Sequence, residues 1–362
     1  MIGSAIASAD QADAELAADV VRAALARAGS DIASSILLFL TTDFVHHAHA
    51  AVTAAARAGH CLQVVGCTAP GVFTEADWVL DRPAAAAMVF AGGAGLAAHT
   101  DVAQPLLSLA TPAAAVPDWL GAAAARRYGL LSTGAAAQGA GRVWCHGKLD
   151  VAGRCEATVA GAQEAIGVSH GILALTPPRT VGAIEGYELR TLGRHDALTS
   201  LMHALPPDLR AGEKLPLHLL AAAVIEGDPH GAIEAGRFVL VPLLGVSHTD
   251  RSIALAARVE RGAQLFWALR QPDAAEADLH RLAERLGAAL DGPPDFALLF
   301  SCLGRGPYFF GGADRDLAAV TTRFPGLPLI GAYGGGQIAP HAGGARLVHN
   351  AAVLALFRDV QS

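Results

Sequence analysis

FALLFSCLGRGPYFFGG, residues 296–312, runs on through ADRDLAAVTTRFPGLPLIGAYGGGQI to residue 338, and this stretch decides the fold. FALLF reads as a buried strand that ends on a glycine-rich loop. ADRDLAAVTTRFPG follows at helical spacing, and LPLIGAY forms a second strand that closes on another glycine loop. The same plan stands near the other end of the chain. SSILLFLTTDF (34–44) is a strand, VHHAHAAVTAAARAG (45–59) a helix, and LQVVGC (62–67) a strand closing on TAPGVF. Placing Ile36 on Ala297 and Val64 on Leu329 shifts the register by 261 and then 265 residues, so Gly66 falls on Gly331 and Gly71 on Gly336. A repeated unit of this kind points to an internal duplication.

Outward from these two anchors, residues 10–28 read as an amphipathic helix opened by Asp10 and stopped by Gly29. HDALTSLMHALPPDL (195–209) and DAAEADLHRLAERLGAAL (273–290) read as further helices, the second capped by Asp273. The middle of the chain holds short strand candidates: GILALTP, GAIEGYEL, HLLAAAVI, GRFVLVPLLG, SIALAARV and AQLFWALR. Glycine or charged turns separate many of them, which favours antiparallel pairing. The expected fold class is α+β, two similar mixed halves of largely antiparallel sheets covered by helices. The expected organisation is an N-terminal helix over 1–29 followed by halves at 30–194 and 195–358.

With 362 residues the chain is too long for one ordinary core. Its composition, 52% apolar and 16% charged, is that of a globular protein. A net charge of −7 and the lack of any Lys/Arg cluster argue against a nucleic-acid partner. AAAAMVFAGGAGLAA (84–98) is shorter than the ~20 residues of a spanning helix and reads as a strand and turn, so no membrane partner is expected. The acidic N-terminal stretch lacks the basic start of an export signal. Five cysteines without CxxC spacing suit reduced thiols, and a cytoplasmic location is the expectation.

The order of motifs resembles the FIST sensory domain, with its N-terminal and C-terminal regions. VVGCTAPGVF (64–73), HGILALTPPRTVGAIEGYEL (170–189), GRFVLVPLLGV (236–246), LFSCLGRGPYFFGG (299–312), LPLIGAYGGGQIAP (327–340) and His349-Asn350 carry the resemblance. The resemblance implies FIST N-terminal-like and FIST C-terminal-like regions that bind a small ligand, with amino acids proposed for the family, and that report to a signalling partner. No output domain is expected after the closing His-Asn pair. Gln337 stands where the family often has glutamate, which weakens the case for a ligand whose ammonium would pair there.

The residues themselves suggest a pocket whose opposite walls are the two glycine loops. Its expected ligand-binding set is Gly66, Cys67, Thr68, Gly71, Cys302, Gly304, Arg305, Gly306, Tyr333, Gly335, Gln337, His349 and Asn350. Glycine loops expose N–H groups to an anion. The guanidinium of Arg305 suits a carboxylate or phosphate, and Gly304 and Gly306 would allow positive φ on either side of it. Equally, Arg305 can pair with Asp314 or Asp316 and simply fix its loop. Cys302 is the one candidate for a catalytic nucleophile, although no base lies near it in sequence and a small buried hydrophobe is the plainer reading. His349 and Asn350 can fasten the glycine loop by side-chain hydrogen bonds. His46 and His49 share a helix face but lack an acid at ligand spacing, so they read as solvated rather than metal-binding. His170, His248 and His349 would form a metal site only by converging.

Two function classes follow: a small-molecule-binding protein of sensory type, or a hydrolase or lyase using the same pocket through Cys302 or a histidine. A protein-interaction scaffold is a third. The expected ligand is an amino acid or other carboxylate, and no motif calls for a cofactor or metal.

Overall fold

The computed structural model describes residues 1–360 except 99–103, 123–125, 135–138, 213 and 342–343. It divides into two compact units, Met1–Ser169 with Leu279–Ser362, and His170–Asp278. The second is thus inserted in the sequence of the first. The α+β class holds, with sheets that are largely antiparallel.

In the outer unit each anchor stretch builds the centre of a six-stranded sheet. The first sheet runs Ile2–Ser8, Ala84–Phe90, Ser35–Thr41, Val64–Ala69, Val143–Cys145 and Lys148–Leu149. The second runs Ala162–Ser169, Ala352–Asp359, Phe296–Cys302, Leu329–Gly334, Gly71–Thr74 and Trp78–Leu80. Ser35–Thr41 and Val64–Ala69 pair parallel across the helix Ala48–Ala58. Phe296–Cys302 and Leu329–Gly334 pair parallel across Arg315–Arg323 in the same way. These strands are buried along their whole length, which is why they read as unbroken apolar runs rather than alternating ones.

Helices Ala14–Ala28 and Ala48–Ala58 cover the outer face of the first sheet. Leu279, Leu282 and Leu286 of the helix Pro272–Ala288, with Leu317 and Val320 of Arg315–Arg323, cover the outer face of the second. The inner faces meet, giving helix, sheet, sheet and helix layers. Phe39 packs edge-on against Phe300 at 6.1 Å, and Phe90 against Phe296 at 5.3 Å. Such pairs add about 0.5–1.5 kcal/mol each beyond the area they bury.

Both aligned glycines sit inside parallel pairs. A methyl on Gly66 would overlap the Leu38 carbonyl and crowd the Trp144 indole, and one on Gly331 would overlap the Leu299 carbonyl and the Phe73 ring. At these two positions glycine allows close packing within the sheet.

At the N-terminus, residues 2–8 form an edge strand antiparallel to Ala84–Phe90. The first helix begins later than expected, with Asp13 as the cap accepting from the Glu15 amide, and ends on Gly29 at φ 65°. A third sheet runs Gly344–Val348, Gln337–His341, Arg127–Leu131, Leu106–Ala110, Arg154–Ala160 and Gly95–Ala97. Leu106–Ala110 and Arg127–Leu131 pair parallel within it.

The six short strand candidates all fall in the inserted unit, although GAIEGYEL spans two strands and GILALTP contributes only Ile172–Ala174, paired outside the ring. Gln264–Arg270, Arg179–Glu185, Glu188–Leu192, Ser252–Leu255, Phe238–Ser247 and Leu220–Ile225 pair antiparallel in that order, and the last pairs back with the first. This closes a six-stranded barrel and removes the exposed edges that a flat sheet would leave. Val181, Leu192, Val241, Ile253, Leu265 and Trp267 belong to its apolar cluster, and the Trp267 indole donates to Ser200 Oγ at 3.1 Å. Among the described residues, no helix is long and apolar enough to cross a membrane.

Candidate functional site

The carboxyl ends of parallel strands are where a fold of this kind leaves room for a ligand, because the connecting loops diverge there. In the outer unit the segments that follow Ser35–Thr41 and Leu106–Ala110 border one cleft of about 630 Å³. Val45, His46 and His49 form one side, Thr111, Ala113 and Ala114 another, and residues 140–143 and 149–153 the rest. Its polar groups are the exposed imidazoles of His46 and His49, the exposed Arg142, Thr111 and Asp150.

A buried network anchors one wall of this cleft. Thr68 Oγ1, at the end of the first glycine-bearing strand, accepts from the Arg142 amide at 2.9 Å and donates to the Thr133 carbonyl at 3.2 Å. Ser132 Oγ lies 2.9 Å from the Thr68 carbonyl and 3.1 Å from that of Arg142, a donor shared between the two strand ends. Among the described residues the buried Thr133 hydroxyl has no hydrogen-bond partner. Asp150 Oδ1 accepts from the Arg154 amide and so closes the turn that forms the far wall. Around the space stand a cation, two imidazoles, a carboxylate and a hydroxyl, a set able to hold a small polar molecule by its charged ends.

A comparable hollow of about 620 Å³ lies between helices Ala14–Ala28 and Ala48–Ala58. Its Arg22 is already paired with Glu15 at 2.7 Å and Asp19 at 2.7 Å, leaving the cleft above as the better site.

The two glycine regions do meet. Gly71 pairs with Tyr333 in the second sheet, Gly335 abuts Thr133, and Gly336 abuts the His349 ring. Between the two sheets at this level, however, lie packed side chains. Cys67 is fully buried in one apolar cluster with Phe39, Val72, Phe300, Ile330 and Ala332, and burial pushes its thiol pKa up.

Arg305 points into the interior of the outer unit with 1% exposure. Its Nε and Nη2 donate to Asp316 at 2.8 and 2.9 Å, while Nη1 and Nη2 donate to the Ser169 carbonyl and hydroxyl at 2.9 Å each. Of the two roles open from sequence, loop fixing is the one this geometry describes. Its glycine neighbours do not supply positive φ: Gly306 sits at −77°, and the left-handed glycines of the stretch are Gly311 and Gly312. Gly304 is exposed in the short turn Leu303–Arg305, and a methyl on Gly306 would press on the Tyr333 ring.

Tyr333 donates its hydroxyl to Asp314, the cap of helix Arg315–Arg323, whose other oxygen accepts the Leu317 amide at 2.9 Å. Burial first, and the neighbouring Asp316 charge second, raise the Asp314 pKa to about 6.

Cys302 is 5% exposed at the end of its strand, opposite Gly334, with its amide donating to the Ala351 carbonyl. Gln337 is fully buried with both amide atoms unpartnered, between Leu130 and Val348 in the third sheet. His349 is exposed, its Nδ1 3.1 Å from the Gly335 carbonyl, and Asn350 adopts φ 54°. His170 packs on Phe238 in the inserted unit, and His248 is exposed there. Among the described residues no group of three His, Cys, Asp or Glu side chains is arranged to hold a metal ion.

Of the residues nominated from sequence, none lines the cleft itself; Gly66, Cys67 and Thr68 adjoin it through their pairing and hydrogen bonds with residues 142–144. Thr111, Ser132, Arg142 and Asp150 went unnominated, because they lie on loops between short strands with no repeated pattern to mark them. His46 and His49 carried a usable signal in their shared helix face, but for another chemistry.

Residues 197–340 match the family model described as FIST C domain, as the motifs in that part of the chain suggest. An uncharacterized protein of Mycobacterium tuberculosis is 33% identical over 200 residues, 55% of this chain and 52% of the relative. An uncharacterized protein of Mycobacterium bovis is 34% identical over 195 residues, 53% of this chain and 50% of the relative. The chain therefore spans about half the length of the curated relatives it matches. FIST domains are in general sensory, ligand-binding domains.

Proposed function

We propose that this protein binds a small carboxylate, an amino acid being the leading class, in the cleft beside Thr68, and that binding is its sensory input to a signalling partner. The observation that carries the reading is the roughly 630 Å³ cleft beyond the carboxyl ends of parallel strands, with Arg142, His46 and His49 on its lining. Arg142 suits the carboxylate through its fork of donors. Asp150 offers an acceptor to an ammonium at the other end. The Thr68–Ser132 network fixes the Arg142 backbone, so that residue is positioned before any ligand arrives and less ordering entropy is lost on binding. A ligand that prefers one arrangement of the bordering loops shifts their population, which is all that a sensor requires.

The test is thermal-shift and calorimetric titration against the proteinogenic amino acids and short aliphatic mono- and dicarboxylates. Arg142→Ala is expected to weaken binding of whichever probe responds by about 10- to 100-fold, the loss of one charge-assisted contact, with an unchanged melting temperature for the unliganded protein. Full affinity in an Arg142→Ala/His49→Ala variant would place the site elsewhere.

A further inference from the structure

One wall of the cleft is a short excursion between two cysteines. Cys145 ends the strand Val143–Cys145, and Cys155 follows at the start of Arg154–Ala160. The residues between them include Leu149, Asp150, Val151, Ala152 and Gly153, which form the far wall of the cleft. The strands that carry the two cysteines, Val143–Cys145 and Arg154–Ala160, pack against each other, and each thiol is the main influence on the other's ionisation. Cys155 is buried at 2% exposure, whereas Cys145 reaches solvent. Both belong to one apolar cluster, Cys155 as a buried member and Cys145 packed against it. All five cysteines are reduced.

The geometry points to Cys145 and Cys155 as a redox-responsive dithiol, whose oxidation to a disulfide closes the 145–155 excursion and stiffens that wall of the cleft. The oxidant class is a low-molecular-weight disulfide of the glutathione type. The Cys145 thiolate attacks one sulfur of that disulfide, forming a mixed disulfide and releasing one thiolate. Cys155, giving up its proton, then attacks the Cys145 sulfur and expels the second small thiolate. The protein loses two hydrogens and two electrons, and the small disulfide becomes two thiols. The asymmetry of the pair suits this order of events. The neighbouring Cys155 thiol, with help from the backbone amides, holds the Cys145 pKa below the ordinary thiol range, while the Cys145 thiol and burial drive Cys155 upward. A half-exposed low-pKa thiol beside a buried resolving thiol is the arrangement that makes oxidation selective. Cys67 lies near Cys155 but is wholly enclosed, so an oxidant meets Cys145 first.

The bridge stands on the packing of the two cysteine-bearing strands against each other and on the contrast in burial of their thiols. Its effect on ligand binding rests on the cleft reading above. The test equilibrates the full-length protein with glutathione and glutathione disulfide in graded ratios, followed by intact mass and peptide mapping. The expected result is a loss of about 2 Da, the mass of two hydrogens, with no retained glutathione and with the Cys145 and Cys155 peptides joined. In Cys155→Ser the glutathione adduct is expected to persist on Cys145. A stable adduct on Cys145 in the wild type, or a bridge through Cys67, would overturn the pairing. Amide exchange across residues 149–153 is expected to slow at least about tenfold in the bridged form. Unchanged exchange there would overturn the stiffening even with the bridge present. Neither readout involves a ligand, so failure of the cleft as a binding site registers separately, in the carboxylate titrations.

Discussion

Replacing Arg305 with methionine separates a structural arginine from a ligand-binding one. The side chains are similar in length, so the change removes charge and donors more than volume. In the native protein the guanidinium spends two donors on Asp316 and two on Ser169, and both members of the ion pair are at most 1% exposed. Methionine leaves the Asp316 carboxylate buried without its cation. Removing one partner of a buried pair costs about 3–5 kcal/mol, a large part of the roughly 5–15 kcal/mol that holds a domain together. Urea unfolding followed by circular dichroism, with amide exchange of Phe296–Cys302 as the local readout, measures the loss. Arg305→Met/Asp316→Leu removes both charges, and because a buried ion pair is often replaceable by apolar groups, most of the lost stability is expected to return. A single variant within about 1 kcal/mol of the wild type would refute the reasoning, as would a double variant less stable than the single one.

The raised Asp314 pKa gives a pH signature of definite sign. Folded Asp314 holds its proton up to about pH 6, above the unfolded value of 3.8. Its contribution is therefore complete below pH 3.8 and is lost as pH rises through about 6, by about 3 kcal/mol in all from 1.36 kcal/mol per unit. Asp314→Asn cannot titrate, so the stability of wild type relative to this variant should fall between pH 4 and 7 in chemical denaturation. A difference that stays flat, or rises, would contradict the assignment. Gly331→Ala pushes a methyl into the Leu299 carbonyl and the Phe73 ring and should cost about 3 kcal/mol or more. Gly186→Ala, at φ 61° in open space, should cost only about 1–2 kcal/mol. Melting temperatures that rank these two variants the other way would contradict the packing described for Gly331.

The sequence carried the outer unit's centre well, because its strands are buried on both faces and its helices show clean amphipathic spacing. Ile36–Leu40 and Ala297–Ser301 both fall in the middle of their sheets, as their unbroken apolar runs suggest. Parallel pairing was the point not read, although a helix of 9–11 residues between two such strands is what returns a chain for it. The edge strand Ile2–Ser8 was missed because IGSAIAS alternates weakly; in the inner unit the single run GAIEGYEL covers parts of two barrel strands and the turn between them, and the closure of the ring was not read. The site was harder to read. Glycine marks both a ligand cradle and a close strand approach, and at Gly66 and Gly331 the second use applies. Likewise Arg305 among glycines reads the same whether it faces a ligand or Asp316, since its Ser169 partner lies 136 residues away.

The insertion of residues 170–278 imposes a timetable on biosynthesis. The second sheet has Gly71–Thr74, Trp78–Leu80 and Ala162–Ser169 before the insertion, but its central strands Phe296–Cys302, Leu329–Gly334 and Ala352–Asp359 come only after it. By the time those leave the ribosome, every strand of the inner barrel has been made and can have closed on itself. The nascent first sheet meanwhile waits with its inner apolar face uncovered, since Phe300 and Phe357 are not yet made. Such a face attracts unrelated chains. A ribosome pausing between about residue 280 and 350 would hold the molecule in its most adhesive state, the window in which a chaperone has most to protect.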